Sequence, residues 1–284
     1  MSTTAGMRRV DPYAPTLDQR LGESRVWQRF GSFAENGRLA VQVVRTALTP
    51  PYPWVREAVV EGSLAMRRCA LPLLASHGVY VIGFGMILFG AILDLLGLPE
   101  GEGGVIYVIW SREIATWITA MIFAGVVGSA VTADLGARKI REELDALSVL
   151  GVDRLRSLVV PRVVAMTIAM PALALLSLLW VTAVNYALTP GHFGYTHDVL
   201  LDNLGSTVQA TDIYFTMFLK NLLIGFFVGV VSCHKGLSAG AGAEGVGRAV
   251  AETVVITFFG IWVINSFFNI AYLTYFPDVA RLRG

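Results

Sequence analysis

The residues that first suggest chemistry are the glycines of residues 236–248. Gly240, Gly242 and Gly245 have the spacing G-x-G-x-x-G, which binds a dinucleotide when a strand precedes it and a helix follows. A second spacing, starting at Gly242, matches a phosphate-binding loop, but Arg248 and Ala249 stand where that loop needs Lys and Ser or Thr. An apolar segment of membrane-helix length precedes these glycines, so the sequence predicts a glycine-rich tight turn between helices. The candidate residues of this predicted loop are Gly242, Glu244, Gly245, Gly247 and Arg248.

Ionisable residues inside apolar segments are a second group of candidates, because a charge there is costly and is a functional suspect. Lys220 falls about two turns into one apolar segment, and Arg112 and Glu113 enter another from the same side. A Lys220–Glu113 ion pair could hold an anionic lipid head group or pin helices together. The alternative is that Lys220 snorkels to the membrane interface. Single polar residues on the same segments are expected to make interhelical hydrogen bonds; they are His77, Asn185, Asn265 and Asn269.

The remaining chemistry-bearing residues do not converge on a catalytic or metal site. The sequence shows no Ser/His/Asp set, carboxylate pair or metal-ligand spacing. We therefore expect no enzyme, no metal and no cofactor bound by this chain. The net charge of +1 gives no reason to expect nucleic acid as a partner.

Composition indicates an integral membrane protein. Of 284 residues, 55% are hydrophobic and only 15% are charged, against roughly 25% charged in soluble domains; the mean hydropathy is +0.61. A spanning helix needs about 20 mostly apolar residues, and five segments qualify. They are residues 71–96, 114–133, 158–188, 213–232 and 250–273. The predicted fold class is an all-α polytopic membrane protein with about five transmembrane helices.

Lys and Arg in the short loops predict the orientation. Residues 1–70 hold ten arginines. The connection from the second to the third segment, counted with the first residues of the third, holds Arg138, Lys139, Arg141, Arg154, Arg156 and Arg162. The loops near residues 97–110 and 189–211 hold none. We therefore predict a multi-pass protein of the inner membrane with a cytoplasmic N-terminus and an extracytoplasmic C-terminus.

An amphipathic helix is predicted before the first span. Apolar or small residues recur at helical spacing, and polar residues lie off that face. The stripe consists of Trp27, Phe30, Ala34, Gly37, Val41, Val44 and Leu48. An aromatic-led stripe flanked by arginines favours a helix in the membrane interface; the alternative is a helix packed on the protein's own loops. The predicted organisation is thus an interfacial region (1–70), a permease-like domain (71–273) and a short extracytoplasmic tail (274–284).

The loop of residues 133–153 predicts a short amphipathic helix. Ile140, Leu144, Leu147 and Leu150 form one apolar strip, acidic residues line the other side, and Gly151 is placed to end the helix. Such a helix can dock into a groove of a partner protein. It can equally be a solvated connector, and periodicity alone does not choose between the two.

Two separated motifs resemble signatures of the MlaE/YrbE permease family. The first covers residues 134–153 and continues through 158–165; the second covers residues 242–248 and is followed by 252–255. The similarity extends over about residues 71–269, and the wording of both motifs is closest to the actinobacterial A-type YrbE. Family members are membrane subunits of ABC importers that act with MCE-domain lipid-binding proteins.

The resemblance implies several partners and a role for the first cytoplasmic loop. It implies a second permease-like subunit, a heterodimer by analogy with actinobacterial members, a separate cytoplasmic ATPase that binds ATP and magnesium, MCE-domain proteins, and lipid as cargo. The family has its ATPase-coupling helix in this loop. The matching residues are Arg141, Glu142, Glu143, Asp145, Ala146 and Leu147. Acidic groups of that helix would pair with basic residues of the ATPase while Leu144 and Leu147 fill its groove.

Three functions remain to be compared. The leading one is a lipid-importer permease subunit; an odd number of spans and the lack of a phosphate loop both require partners. The second is a non-transporting scaffold that anchors an MCE assembly. The third, a secondary transporter, predicts buried carboxylates in mid-span, whereas Asp94 and Asp134 fall at the predicted span ends.

Overall fold

A computed structural model describes residues 25–97, 102–193, 196–207 and 209–276, and these residues are almost entirely helical. The helices are α1 (Arg25–Leu48), α2 (Val55–Leu95), α3 (102–140), α4 (Glu143–Val149), α5 (155–193), α6 (His197–Thr207), α7 (Asp212–Leu237) and α8 (Gly242–Tyr275). The tail from residue 277 and the first 24 residues lie outside this description, as do the side chains of Trp27 and Phe30.

Five of these helices are long and apolar enough to cross a membrane, as predicted. They are α2, Tyr107–Ile140 of α3, Leu155–Leu188 of α5, α7 and α8. Helices suit this environment because their backbone groups are hydrogen-bonded within the segment, where no water is present to satisfy them. The protein is therefore a polytopic all-α membrane protein.

The helices extend further than the apolar segments indicated. Residues 55–70, which precede the predicted first span, are part of α2, and the predicted loop around residues 97–110 holds the first turns of α3. The predicted loop at 189–211 holds the end of α5 and all of α6, which packs against the start of α3. Hydropathy marks only the part of a helix that suits hydrocarbon, so polar turns that continue the same helix are missed.

Close packing concentrates on α5 and α7, which with α3 are the most buried spans; α2 and α8 are the most exposed. Gly225 and Gly229 let α7 approach α5, since a Cβ on Gly225 would lie 2.5 Å from the Met166 carbonyl oxygen. Gly236 does the same toward α3, where a Cβ would lie 2.7 Å from Cβ of Leu135. Small residues at such spacing are typical of packed membrane helices.

The bundle has two ends that differ in charge. Arg138, Lys139, Arg141 and Arg154 lie around α4, where α3 ends and α5 begins; we call this the basic end. The opposite end holds α6 and the starts of α3 and α7. Several helices contain π-helical turns, including Trp110–Ile114 in α3 and Asp212–Leu219 in α7.

Candidate functional site

The loop helix α4 is shorter than the sequence indicated, which corrects two assignments. Helix α3 ends at Ile140, and Arg141 and Glu142 form a turn in which Glu142 has the left-handed φ of 60°. The helix that follows is Glu143–Val149. Arg141 and Glu142 therefore precede the predicted coupling helix and do not lie in it, because a left-handed residue interrupts the α-helical hydrogen-bond ladder.

The end of α4 agrees with the sequence. Gly151 has φ of +72°, its N–H donates to the Ser148 carbonyl at 3.1 Å, and the Val152 N–H donates to the Leu147 carbonyl at 2.9 Å. This pair of bonds is the Schellman motif, which favours glycine at the left-handed position. The helix is thus stopped at a defined residue, and the chain turns back toward α5.

Ion pairs fix the start of α4 against the end of α3. The Glu143 carboxylate accepts a hydrogen bond from Nε of Arg141 at 2.6 Å and lies 3.8 Å from Arg138. The bond to Glu143 raises the pKa of Arg141 above its ordinary value. Glu143 is therefore engaged within the chain.

The side chains of α4 face two ways. Leu144 is buried, which is contrary to the expectation that it would fill a groove of a partner, and Leu147 is half-buried. A cavity of about 660 Å³ lies between α4 and the ends of α3 and α7, lined in part by Leu144, Lys139, Arg154 and Leu237. The apolar side of α4, with Leu144 and Leu147, faces inward because it packs against apolar surface of the bundle itself. Outward-facing residues are Asp145, with an 81% exposed side chain, Ala146, Val149 and Leu150.

The second motif also forms helix, and the predicted glycine-rich loop is wrong in its extent. Ala241 is extended, Gly242 has φ of +74°, and α8 begins at Gly242. Glu244, Gly245, Gly247 and Arg248 therefore lie in its first two turns, where Arg248 donates to Glu244 at 3.0 Å. Glycine disfavours helix, but packing overrides this preference.

The glycines of the two motifs allow close contact between the start of α8, the turn before it and the end of α3. A Cβ on Gly240 would lie 3.5 Å from Cα of Gly245, and one on Gly136 would lie 3.1 Å from a methyl group of Val246. Lys139 donates to the Ala239 carbonyl at 2.8 Å. Both motifs therefore meet at the basic end, although they are about 100 residues apart in the sequence.

A buried polar cluster occupies the opposite end and joins α3, α7 and α8. Lys220 is 0% exposed, and its Nζ donates to the Arg112 carbonyl at 2.5 Å and lies 3.5 Å from Oδ1 of Asn269. Glu113 accepts from Asn265 at 2.8 Å and from Asn269. The Asn269 amide thus lies between Lys220 and Glu113, and the buried ammonium group does not snorkel to the interface.

Asn265 and Asn269 make the interhelical bonds expected of them, whereas His77 bonds to Leu73 of its own helix at 2.8 Å.

Asp212 completes this cluster and was missed from the sequence. Its buried carboxylate accepts from Nε of Arg112 at 2.8 Å, from the Tyr272 hydroxyl at 2.6 Å and from the Gln209 backbone at 3.2 Å. The Arg112 guanidinium also lies 5.6 Å from the centre of the Tyr272 ring. Asp212 lies one residue before the predicted fourth span, and only ionisable residues inside or entering the spans were considered as candidates. The spacing of an acidic residue at a span boundary opposite Arg112 could have suggested it.

A family model matches most of the chain. The profile described as Permease MlaE matches residues 65–271, from within α2 to within α8. The chain belongs to the MlaE permease family. Helix α1 lies outside the matched region.

Individual relatives of this MlaE-family permease agree. "Protein TRIGALACTOSYLDIACYLGLYCEROL 1, chloroplastic" of Arabidopsis thaliana is 34% identical over 177 residues, which cover 61% of this chain and 50% of that protein. "Probable ABC transporter permease protein slr1045" of Synechocystis sp. is 34% identical over 173 residues, covering 61% and 65%. "Probable ABC transporter permease protein RT0041" of Rickettsia typhi is 28% identical over 201 residues, covering 68% and 76%. The alignments span about half to two thirds of the first two relatives' own length.

Proposed function

We propose that this permease is a membrane subunit of an ATP-driven, MCE-type lipid importer of the inner membrane. A second, unlike permease subunit would complete the pathway, a separate ATPase would bind ATP and magnesium, and MCE-domain proteins would deliver lipid. Membership of the MlaE family supports the permease role, and the Arabidopsis relative bears the name of a galactolipid. The finer assignment rests on the geometry of α4.

The observation that supports ATPase binding is the exposed tip of α4. Val149 and Leu150 are 88% and 75% exposed, and Asp145 lies one turn before Val149 on the same short helix. An apolar tip with an adjacent carboxylate can fill a hydrophobic groove whose rim is basic. Glu143 and Leu144 fix the helix to the bundle, so force applied at the tip would reach α3 and α5.

The polar cluster at the opposite end would position the cargo side of the bundle. Lys220, Glu113 and Asp212 connect three spans, and a change in the angle of one span must break or move these bonds. We propose that the cluster holds the lipid-facing ends of the spans in register during one stage of transport. The arginines around α4 support a cytoplasmic basic end and an extracytoplasmic opposite end.

The test is co-purification with the ATPase, followed by ATP turnover in lipid nanodiscs. Val149→Glu with Leu150→Gln should release the ATPase and leave the permease inserted, because the apolar tip is lost while the contacts of Glu143 and Leu144 remain. Arg248→Lys is the matched control, since Arg248 lies at the same end on an exposed helical turn. Retention of the ATPase by the double variant would show that α4 is not the docking helix.

Measuring ATP hydrolysis distinguishes the importer from the two alternatives, a scaffold and a secondary transporter. A scaffold would retain its partners without changing ATP hydrolysis when lipid is added. A secondary transporter would need a carboxylate free to exchange an ion, whereas Asp212 already accepts hydrogen bonds from Arg112, Tyr272 and the Gln209 backbone. Lipid-stimulated hydrolysis by the complete complex is the result expected of an importer.

A further inference from the structure

Charged side chains at the basic end form one continuous network in which acidic and basic groups alternate. From the interior of the bundle outward, its members are Glu61, Arg162, Asp134, Arg138, Glu143 and Arg141. The nitrogen and oxygen atoms of successive members are 3.2, 2.8, 3.1, 3.8 and 2.6 Å apart in that order. This ion-pair network begins on α2, crosses α5 and α3, and ends at α4 and the turn before it.

Asp134 is the member that joins the two halves of the network. Its Oδ2 accepts a hydrogen bond from Nε of Arg138 on its own helix and from Nη2 of Arg162 on α5. Each of these arginines also has a second carboxylate within reach, Glu143 for Arg138 and Glu61 for Arg162. Because one oxygen atom serves both guanidinium groups, a displacement of either arginine changes the bonding of the other.

Burial distinguishes this network from ordinary surface ion pairs, which contribute little. The side chain of Arg162 is only 6% exposed, so water and salt screen its pairs less than they screen an exposed pair. Charges that share partners in a network also support one another, and moving one member affects the rest. The exposed helix α4 is therefore joined electrostatically to a buried cation between three spans.

We propose that the ion-pair network passes movement of α4 to α5 and α2, with Asp134 and Arg162 as positioning residues. The inference rests on the proposed function, in which a partner ATPase binds the tip of α4. Glu143 moves with α4 and acts on Arg138, and the shared Asp134 carries the displacement to Arg162. Through Glu61 the network adds α2 to the two spans that flank α4.

The first test measures the network in the purified full chain, without any partner. Glu61→Gln removes the innermost carboxylate and should raise amide hydrogen exchange across Glu143–Val149 several-fold, although the change is on another helix. Glu57→Gln is the matched control, because Glu57 is exposed one turn earlier on α2. Exchange across His197–Thr207, at the opposite end, should stay unchanged. An equal rise there would indicate general loss of folding and would overturn the inference.

A double-mutant cycle distinguishes a connected network from separate contacts. Asp134→Asn interrupts the network between Glu61 and α4. Glu61→Gln should therefore add nothing to the exchange of α4 in the Asp134→Asn background. Multiplication of the two effects would show that Glu61 acts on α4 by another route, and it would contradict the proposal.

The second test uses the complete complex in lipid nanodiscs and compares ATP hydrolysis with and without added lipid. Glu61→Gln leaves the tip of α4 intact, so the ATPase should be retained while the stimulation by lipid falls about fivefold, the lower end of usual coupling between sites. Glu57→Gln should keep the stimulation. Unchanged stimulation in Glu61→Gln, with the ATPase bound, would overturn the inference and leave the proposed function standing. If the wild-type chain retains no ATPase, the proposed function fails and the coupling role of the network fails with it.

Discussion

Arg162 illustrates at the residue scale how a charge can be misread from sequence. It is buried, and Nη2 lies 2.8 Å from Asp134 of α3 and 3.2 Å from Glu61 of α2. Nη1 also donates to the Leu158 carbonyl at 2.9 Å. Counting basic residues treated it as a loop charge like Arg154, which does lie on the surface. Only the folded chain brings carboxylates from two other helices to this guanidinium.

Loss of Arg162 should therefore destabilise the bundle. Arg162→Gln would leave Asp134 and Glu61 without their shared cation, at a cost of about 3 kcal/mol in the free energy of unfolding. That figure is the lower end of the usual cost because Asp134 is still partly exposed. Thermal unfolding in mild detergent measures the change. Arg154→Gln is the control, since its 3.7 Å pair with Asp145 is exposed and should contribute little; equal loss in both variants would contradict the argument.

At the scale of elements, hydropathy predicted all five spans, because these depend on the length of an apolar segment. The placement of Gly151 predicted the end of α4, because that end depends on local backbone conformation. Neither signal could predict where α3 breaks. Periodicity ran from Ile140 to Leu150 without interruption, yet Glu142 adopts a left-handed conformation. That break lets Leu144 reach the bundle and Glu143 reach Arg138, so tertiary contacts decide it. Tertiary contacts also explain why Gly245 and Gly247 lie in α8 and not in the predicted loop.

The turn at Glu142 can be tested with two substitutions that remove the same charge. Glu142→Gly should stabilise the turn and Glu142→Ala should not, because only glycine lacks the Cβ that disfavours positive φ. The difference should be about 1 kcal/mol. Amide hydrogen exchange across Glu143–Val149 reports it locally. Identical protection in the two variants would show that Glu142 is not held in this conformation.

The contact between α5 and α7 depends on Gly225. Gly225→Ala would place a methyl group 2.5 Å from the Met166 carbonyl oxygen and should cost about 1–3 kcal/mol through overpacking. Gly247→Ala is the matched control in a helix with open space around it, and it should be neutral or stabilising by up to about 1 kcal/mol. Thermal unfolding of the two purified variants provides the comparison. Equal stability would mean that α7 does not approach α5 this closely.

In the whole molecule, polar contacts join the spans at both ends. Near the basic end, Oγ1 of Thr132 bonds both to Thr253 and to the Ser232 carbonyl, each at 3.1 Å. At the opposite end, Asn265 donates to Glu113 and Arg112 donates to Asp212, each at 2.8 Å. Sequence could predict that polar residues bridge helices, but assigning partners required the arrangement of α3, α7 and α8.

Cysteine labelling in cells tests the predicted orientation of this arrangement. Asp145→Cys on α4 and Ser206→Cys on α6 both place the thiol on exposed surface, whereas Cys69 and Cys233 are buried. A membrane-impermeant maleimide should label Ser206→Cys in intact cells and Asp145→Cys only after permeabilisation. The reverse pattern would invert the topology and exclude a cytoplasmic ATPase at α4.

The order of the spans along the chain has a consequence for biosynthesis. Four spans are made before α8, and they already contain Glu113, Asp212 and Thr132. Donors or partners for these residues come from α8: Asn265 for Glu113, Tyr272 for Asp212 and Thr253 for Thr132. Until α8 inserts, carboxylates in an apolar setting lack part of their hydrogen bonding. Helix α8 therefore completes the polar contacts of the spans made before it, and a chain arrested before α8 would leave Glu113, Asp212 and Thr132 each without one of its partners.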